Sequence, residues 1–300
     1  MKREIALIVF LSLVVAALAS ASSGGWSHTG RSATGVSGTG WSGGLTRYSR
    51  TVDRSFELAP NAPLEIHASS FDVSLVRGSG TALRFRGTIR GSSRALVDAI
   101  RVTMQQSGNR RILSIEAPEN GVGDVLHLGF LHFFDAHFTI EVPPVAALSV
   151  VTTSGDVAAA DQSAPLDVQT SSGDVTIDRT RAALSIRTSS GDVIVRQAAG
   201  VVQTQTNSGD VHVNDLGGSL SSTSTSGDLT ASLASNWSGS SLAMHSSSGD
   251  IDLGLPRGFH GALHAVTASG DVRNVANLRA TLAGATPVDL TSSSGNIIVH

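Results

Sequence analysis

Seven aspartates, Asp156, Asp174, Asp192, Asp210, Asp228, Asp250 and Asp271, each follow a glycine directly, and Asn296 holds the eighth such place. The glycines are Gly155, Gly173, Gly191, Gly209, Gly227, Gly249, Gly270 and Gly295, the first five of them 18 residues apart. If the chain winds in coils of that length, the carboxylates superpose into one column. Such a column can accept hydrogen bonds from turn amides, hold a ladder of calcium ions, or supply acid and base to glycoside cleavage. Calcium rolls use a nonapeptide with several glycines and an aspartate in each half-coil, whereas this chain offers one aspartate per 18 residues. Glycoside chemistry needs a break in the repeat where unlike groups converge, and sugar platforms are usually aromatic. The repeat region carries only Trp237 and Phe259, both where the spacing widens. The residues therefore favour structural turns: glycine to supply a positive backbone dihedral, aspartate to cap turn amides. No catalytic residue, cofactor or metal is expected.

Other candidates are weaker. His127, His132 and His137 recur every five residues, a period that no regular helix or strand gathers on one face, so a zinc site would need a loop. They lie in a Phe- and Leu-rich stretch, Val125–His137, which reads as a buried strand pair. If it projects instead, His127, Phe130, His132, Phe133 and Phe134 form a candidate contact surface. Gly40-Trp41-Ser42-Gly43-Gly44 matches a nucleophile elbow in letters only, because its Gly/Ser flanks supply neither strand nor helix. There is no cysteine, and the sole lysine is Lys2. Disulfides and thiol nucleophiles are excluded.

The elements that must position the column can be counted from each glycine. Seven residues before it stand Leu148, Leu166, Leu184, Val202, Leu220, Leu242, Leu263 and Val288; two after it stand Val157, Val175, Val193, Val211, Leu229, Ile251, Val272 and Ile297. Three before it a threonine or serine recurs, from Thr152 to Ser292. Residues of one parity share a strand face, so each coil offers an inward set before the corner and another after it. Stacked coils give every strand parallel neighbours. The expectation is an all-β fold, a parallel β-solenoid of β-helix or β-roll type with coils of about 18 residues. Later spacings of 22, 21 and 25 residues place insertions at the opposite corner.

Four segments follow. Residues 1–21 read as a signal peptide, with Lys2-Arg3, an apolar run from Ile5 to Ala19 and small residues at its exit; the run is short for a membrane span. Residues 22–50 read as a flexible Gly/Ser-rich leader. Residues 51–145 read as a β-rich lead-in with strands around Phe56, Leu64, Phe71, Leu83, Ile112 and Phe138. Only Ser93–Met104 has helical character, and Ala68-Ser69-Ser70-Phe71-Asp72-Val73 is a degenerate copy of the repeat turn. Residues 146–300 hold the repeats. There seven arginines face thirteen aspartates, so no basic stripe exists for nucleic acid.

With its Leu148-Ser149-Val150, Thr152 and Ser154-Gly155-Asp156-Val157 pattern copied after the strand Glu141-Val142-Pro143-Pro144, the chain resembles the bacterial putative-adhesin family of β-strand-repeat proteins, a domain of unknown function. The resemblance covers roughly Thr51 to His300. It implies a non-enzymatic secreted, periplasmic or cell-surface solenoid acting as an adhesin or protein-interaction scaffold, and it brings no catalytic residues. Different classes kept beside it are a polysaccharide-active β-helix enzyme and an envelope-stress accessory contacting membrane partners through the lead-in. The expected partner is another envelope or surface protein, with no transmembrane segment in the mature chain. The last repeat, Ser294 to His300, lacks a polar cap, so homo-oligomerisation through an open C-terminal end is a further expectation.

Overall fold

The computed structural model describes residues 48–117, 134–280 and 284–300. The lead-in contains β1 (Tyr48–Glu57), β2 (Leu64–Ala68), β3 (Asp72–Arg77), β4 (Ala82–Gly91), a helix α1 (Arg94–Ala99), β5 (Arg101–Ser107), β6 (Arg110–Glu116) and β7 (Phe134–Val142). The repeats follow as strand pairs, each pair one rung flanking a Gly-Asp corner. They are β8 (Leu148–Thr152) with β9 (Val157–Ala160), β10 (Leu166–Gln169) with β11 (Val175–Thr180), and β12 (Leu184–Arg187) with β13 (Val193–Ala198). Next come β14 (Val202–Ser208) with β15 (Val211–Leu216), β16 (Leu220–Ser226) with β17 (Leu229–Leu233), and β18 (Leu242–Ser246) with β19 (Ile251–Gly254). The last two are β20 (Gly261–Ser269) with β21 (Val272–Asn274), and β22 (Thr286–Ser294) with β23 (Ile297–Val299).

Each rung is built by alternation. In β10 and β11, Leu166, Val168, Val175 and Ile177 are buried while the residues between them face outward. The strand before the corner joins an 11-stranded sheet and the strand after it a 12-stranded sheet, counted among the described residues. Their inner faces share one hydrophobic core. Pairing is parallel with each valine directly over the next: Val157 on Val175, Val175 on Val193, Val193 on Val211, Val211 on Leu229. Small aliphatic residues suffice because each fills only the short step between rungs. The solenoid is as expected, and the degenerate turn joins it: β2 and β3 form a rung beneath β8 and β9, Leu64 on Leu148 and Val73 on Val157.

Rung order in space departs from chain order at both ends. The first repeat, β8 and β9, stacks on β2 and β3, which separate it from β6 and β7, its immediate predecessors in sequence. At the other end β22 and β23 slide between β18/β19 and β20/β21. The C-terminal rung is therefore interior, and the expected open C-terminal end is corrected: the outermost rung is the Gly270 rung. Side chains explain the choice. Val288, Leu290, Ile297 and Val299 are all 1% exposed or less, whereas the equivalent places in the outer rung hold Leu263, Ala265, Val272 and Asn274. The more apolar rung takes the covered position.

The opposite end is closed by antiparallel strands. β4 pairs with β7, β1 pairs with β4, and β5 pairs with β6. Arg50 and Arg54 on β1 donate to the carbonyls of Ile100 and Val102 at 2.8 and 2.7 Å, tying the two sheets together. Phe138 packs edge-on to Phe71 and against Phe85, with centroids 5.4 and 5.0 Å apart. Phe85 and Phe138 are the bulkiest of the fully buried side chains. The helical expectation for Ser93–Met104 shrinks to α1, because from Arg101 the alternation of β5 takes over.

The corner opposite the glycines uses a device with no single residue type. Asp161, Arg179, Gln197 and Asp215, again 18 residues apart, all have φ between 54° and 58°. This left-handed conformation costs a residue with a Cβ roughly 1–2 kcal/mol. Arg179 recovers part by binding Asp161 at 2.8 and 2.9 Å. Gln197 is exposed. Gln197→Gly should relieve the strain at some cost in chain entropy, a net gain of about 0.5–1 kcal/mol. A raised denaturation midpoint is the expected result, while Gln197→Val, a branched residue in the same conformation, should lower it.

Candidate functional site

The Gly-Asp corners form a continuous backbone column, and distance explains the glycines better than dihedral. A Cβ on Gly173 would stand 2.0 Å from the carbonyl oxygen of Gly155, and one on Gly191 equally close to that of Gly173. The same overlap recurs through Gly227 on Gly209, Gly249 on Gly227, Gly295 on Gly249 and Gly270 on Gly295, at 2.1–2.2 Å. The expected positive φ is found at Gly209 alone of the eight (142°), which corrects the reason for the glycine: it is needed for close approach. Phe71 holds the glycine place in the β2/β3 rung, and its ring turns to Phe138.

The aspartates bond between rungs. The backbone N–H of Asp174 donates to Asp156 Oδ1 at 2.9 Å, Asp192 to Asp174, Asp210 to Asp192 and Asp228 to Asp210 at the same distance. Asp156 N donates likewise to Asp72 and Asp250 N to Asp228. Asn296 N then donates to Asp250 Oδ1 at 2.7 Å, and its own Oδ1 accepts from Asp271 N at 3.0 Å. A neutral amide oxygen at the penultimate place of the ladder does the same work as its neighbours. The column needs an acceptor, and charge is dispensable at that step. Below each corner, Thr152, Thr170 and Thr188 accept the N–H of Gly155, Gly173 and Gly191 at 3.1–3.2 Å. Farther on, Ser246, Ser292 and Thr267 donate to the glycine carbonyl of the adjoining rung.

A groove of about 390 Å³ lies beside the column, lined by Asp72, His137, Asp156 and Asp174, and further ligand-sized space lies along the outer face of the 11-stranded sheet. An open groove of about 600 Å³ crosses β2, β8, β10, β12 and β14. Its apolar side is a file of one residue per rung, Pro63, Ala147, Pro165, Ala183 and Val201. Its polar side includes Glu65, Arg110, Asp167 and Gln169. Glu65 is held by Arg110 at 2.7 Å and His67 at 2.6 Å. Partial burial pushes the Glu65 carboxyl up, but these two partners outweigh it and hold the group below its ordinary value. Arg187 and Gln169 bond Asp167 in the same way. The file is hard to read from sequence because prolines and alanines preceding a strand look like ordinary punctuation; the available signal is Ala147, Pro165 and Ala183, each eight residues before a glycine.

The candidate contact residues His127, Phe130, His132 and Phe133 lie outside the described residues. Phe134 begins β7. His137 stands on the outer face of that strand, 3.0 Å from Asp135 and 3.3 Å from Asp72. Among the described residues no group of three or more His, Asp or Glu converges where a metal ion could be held. No described helix is long and apolar enough to cross a membrane.

Two mostly parallel sheets wound from short repeats, with corner residues consumed in joining rungs, define a β-solenoid. The chain belongs to the Toastrack DUF4097 family, which it matches over residues 62–300. No curated protein matches it. Among solved structures it is similar to a protein called a putative lipid binding protein from Parabacteroides distasonis ATCC 8503, at 14% identity and TM-score 0.52, over 83% of this chain and 96% of that one. It is also similar to one called a putative adhesin from Bacteroides fragilis NCTC 9343, at 15% identity and TM-score 0.49, over 84% of this chain and 97% of that one.

Substitutions within one corner separate the two roles. Gly191→Ala must push rungs apart and should cost about 3 kcal/mol, while Asp192→Ala loses one hydrogen bond, about 1 kcal/mol. Asp192→Asn keeps the acceptor and should stay within about 0.5 kcal/mol of the parent. Urea unfolding checks all three, and equal tolerance at Gly191 and Asp192 would contradict the column.

Proposed function

We propose that this protein is a non-enzymatic secreted or envelope-associated scaffold that binds another surface protein, in adhesion or envelope assembly, through the outer face of its 11-stranded sheet. The observation that carries this is the division of labour among its recurrent residues. Gly and Asp are spent on joining rungs and Thr on closing each corner, so the recurrent carboxylates and hydroxyls are committed to structural hydrogen bonds. The apolar file of Pro63, Ala147, Pro165, Ala183 and Val201 is available to a partner instead, with Val201 46% exposed. An extracytoplasmic location is supported by the charged, apolar and small-residue pattern of residues 1–21.

The test is binding of the purified chain to whole cells and isolated envelopes, beside a polysaccharide-degradation screen. Pro165→Asp and Val201→Asp should each weaken binding roughly tenfold, about 1.4 kcal/mol, with an unchanged melting temperature. Sugar turnover abolished by one aspartate substitution would overturn the scaffold in favour of an enzyme. Binding to protein-free phospholipid vesicles through the same valine would shift the ligand to lipid, the property carried in the name of the Parabacteroides protein.

A further inference from the structure

The two ends of the solenoid are finished differently. At the lead-in end the edge strand β1 carries Arg50, Asp53, Arg54 and Glu57, and charged side chains on an edge discourage further pairing. At the other end β20 reads Gly-Ala-Leu-His-Ala-Val-Thr-Ala-Ser, nine residues without an arginine, lysine or proline, and its one ionisable group, His264, is 3.1 Å from Asp289. One side of β20 is paired with β22. On its other side Leu263 donates to the carbonyl of Arg279, and from His264 onward no described strand lies beyond it. β21 is likewise outermost in its sheet. The core is left partly uncovered: Leu263 is buried and Ala276 and Leu278 pack against the core, but Val272, which occupies the same column as the fully buried Val175 and Val193, is 43% exposed. Val266 and Val275 on the same rung are 46% and 63% exposed.

We propose that this Gly270 rung is a self-association face and that its occupant is the same rung of a second copy, tail to tail. A second solenoid end of equal cross-section is the body whose two sheets and single core continue both sheets and the core at once. Charge selects the antiparallel arrangement. Asp271 and Arg273 flank Val272, so a two-fold centred on Val272 sets each Asp271 opposite the second copy's Arg273 and brings the valines together. Asp271 is also the last carboxylate of the ladder, its neighbour Asn296 lying on the inner side. Because the two-fold consumes this face on both copies, and the edge strand β1 at the opposite end carries Arg50, Asp53, Arg54 and Glu57, association stops at two copies and does not run on into a fibre.

The experiment is light scattering of the full chain over a concentration series, with Val272→Lys and, as a control on the distant sheet face, Gln205→Lys at an exposed place outside the groove. A dimer is expected, with its dissociation constant raised roughly tenfold or more by Val272→Lys and unchanged by Gln205→Lys. The chain has no cysteine, so single replacements give a second reading independent of how Val272→Lys folds. With a short thiol crosslinker, Ser269→Cys on β20 should yield covalent dimer and Ser49→Cys on β1 should not. A monomer at every soluble concentration overturns the proposal. So does a dimer that crosslinks through Ser49→Cys and not through Ser269→Cys, or higher assemblies growing from both ends.

Discussion

The distance between successive corner backbones governs this molecule. With glycine carbonyls lying about where the next rung's Cβ would stand, the rungs can close to hydrogen-bonding range. Only then can each aspartate oxygen reach the next amide, and only then do valines stacked on valines leave no void. A single oversized corner residue therefore acts on the ladder, the acceptor chain and the core together. The same closeness limits the interior: the mid-solenoid places an Oγ–Oγ contact of 2.7 Å between Thr204 and Ser222 where other rungs have Val168 or Ile186. A short hydroxyl pair fits a rung step that longer polar side chains would not.

Much of this was legible from residues alone. Recurrence of Leu, Thr, Gly, Asp and Val at constant offsets predicted both sheets, their parallel register and the rung hidden at Ala68–Val73. What escaped had physical reasons. Glycine is compatible with two explanations, an unusual dihedral and a close contact, and only coordinates separate them. The left-handed corner at Asp161, Arg179, Gln197 and Asp215 leaves no trace because three different residue types fill its four places. Rung order was equally hidden. Two repeats with matching offsets fit any neighbouring slot, and the decision rests on small differences in apolar area, Ile297 and Val299 against Val272 and Asn274.

Function follows the same division. The most repetitive residues were the natural suspects for chemistry, and the structure assigns them to mechanical tasks. What varies from rung to rung, the outward file beside Val201 and the outermost rung at Val272, is where recognition can be written without disturbing the ladder. Solenoids in general keep variation on the surface and uniformity in the stack.

The intercalation of β22 and β23 makes the last repeat the link, among the described strands, between the Gly270 rung and the body of the stack: β20 and β21 are joined to β18 and β19 only through it. Whatever loosens Ile297 or Val299 therefore frees two layers at once, and the segment after Gly254 holds together as a pair of interlocked rungs and not as two independent ones.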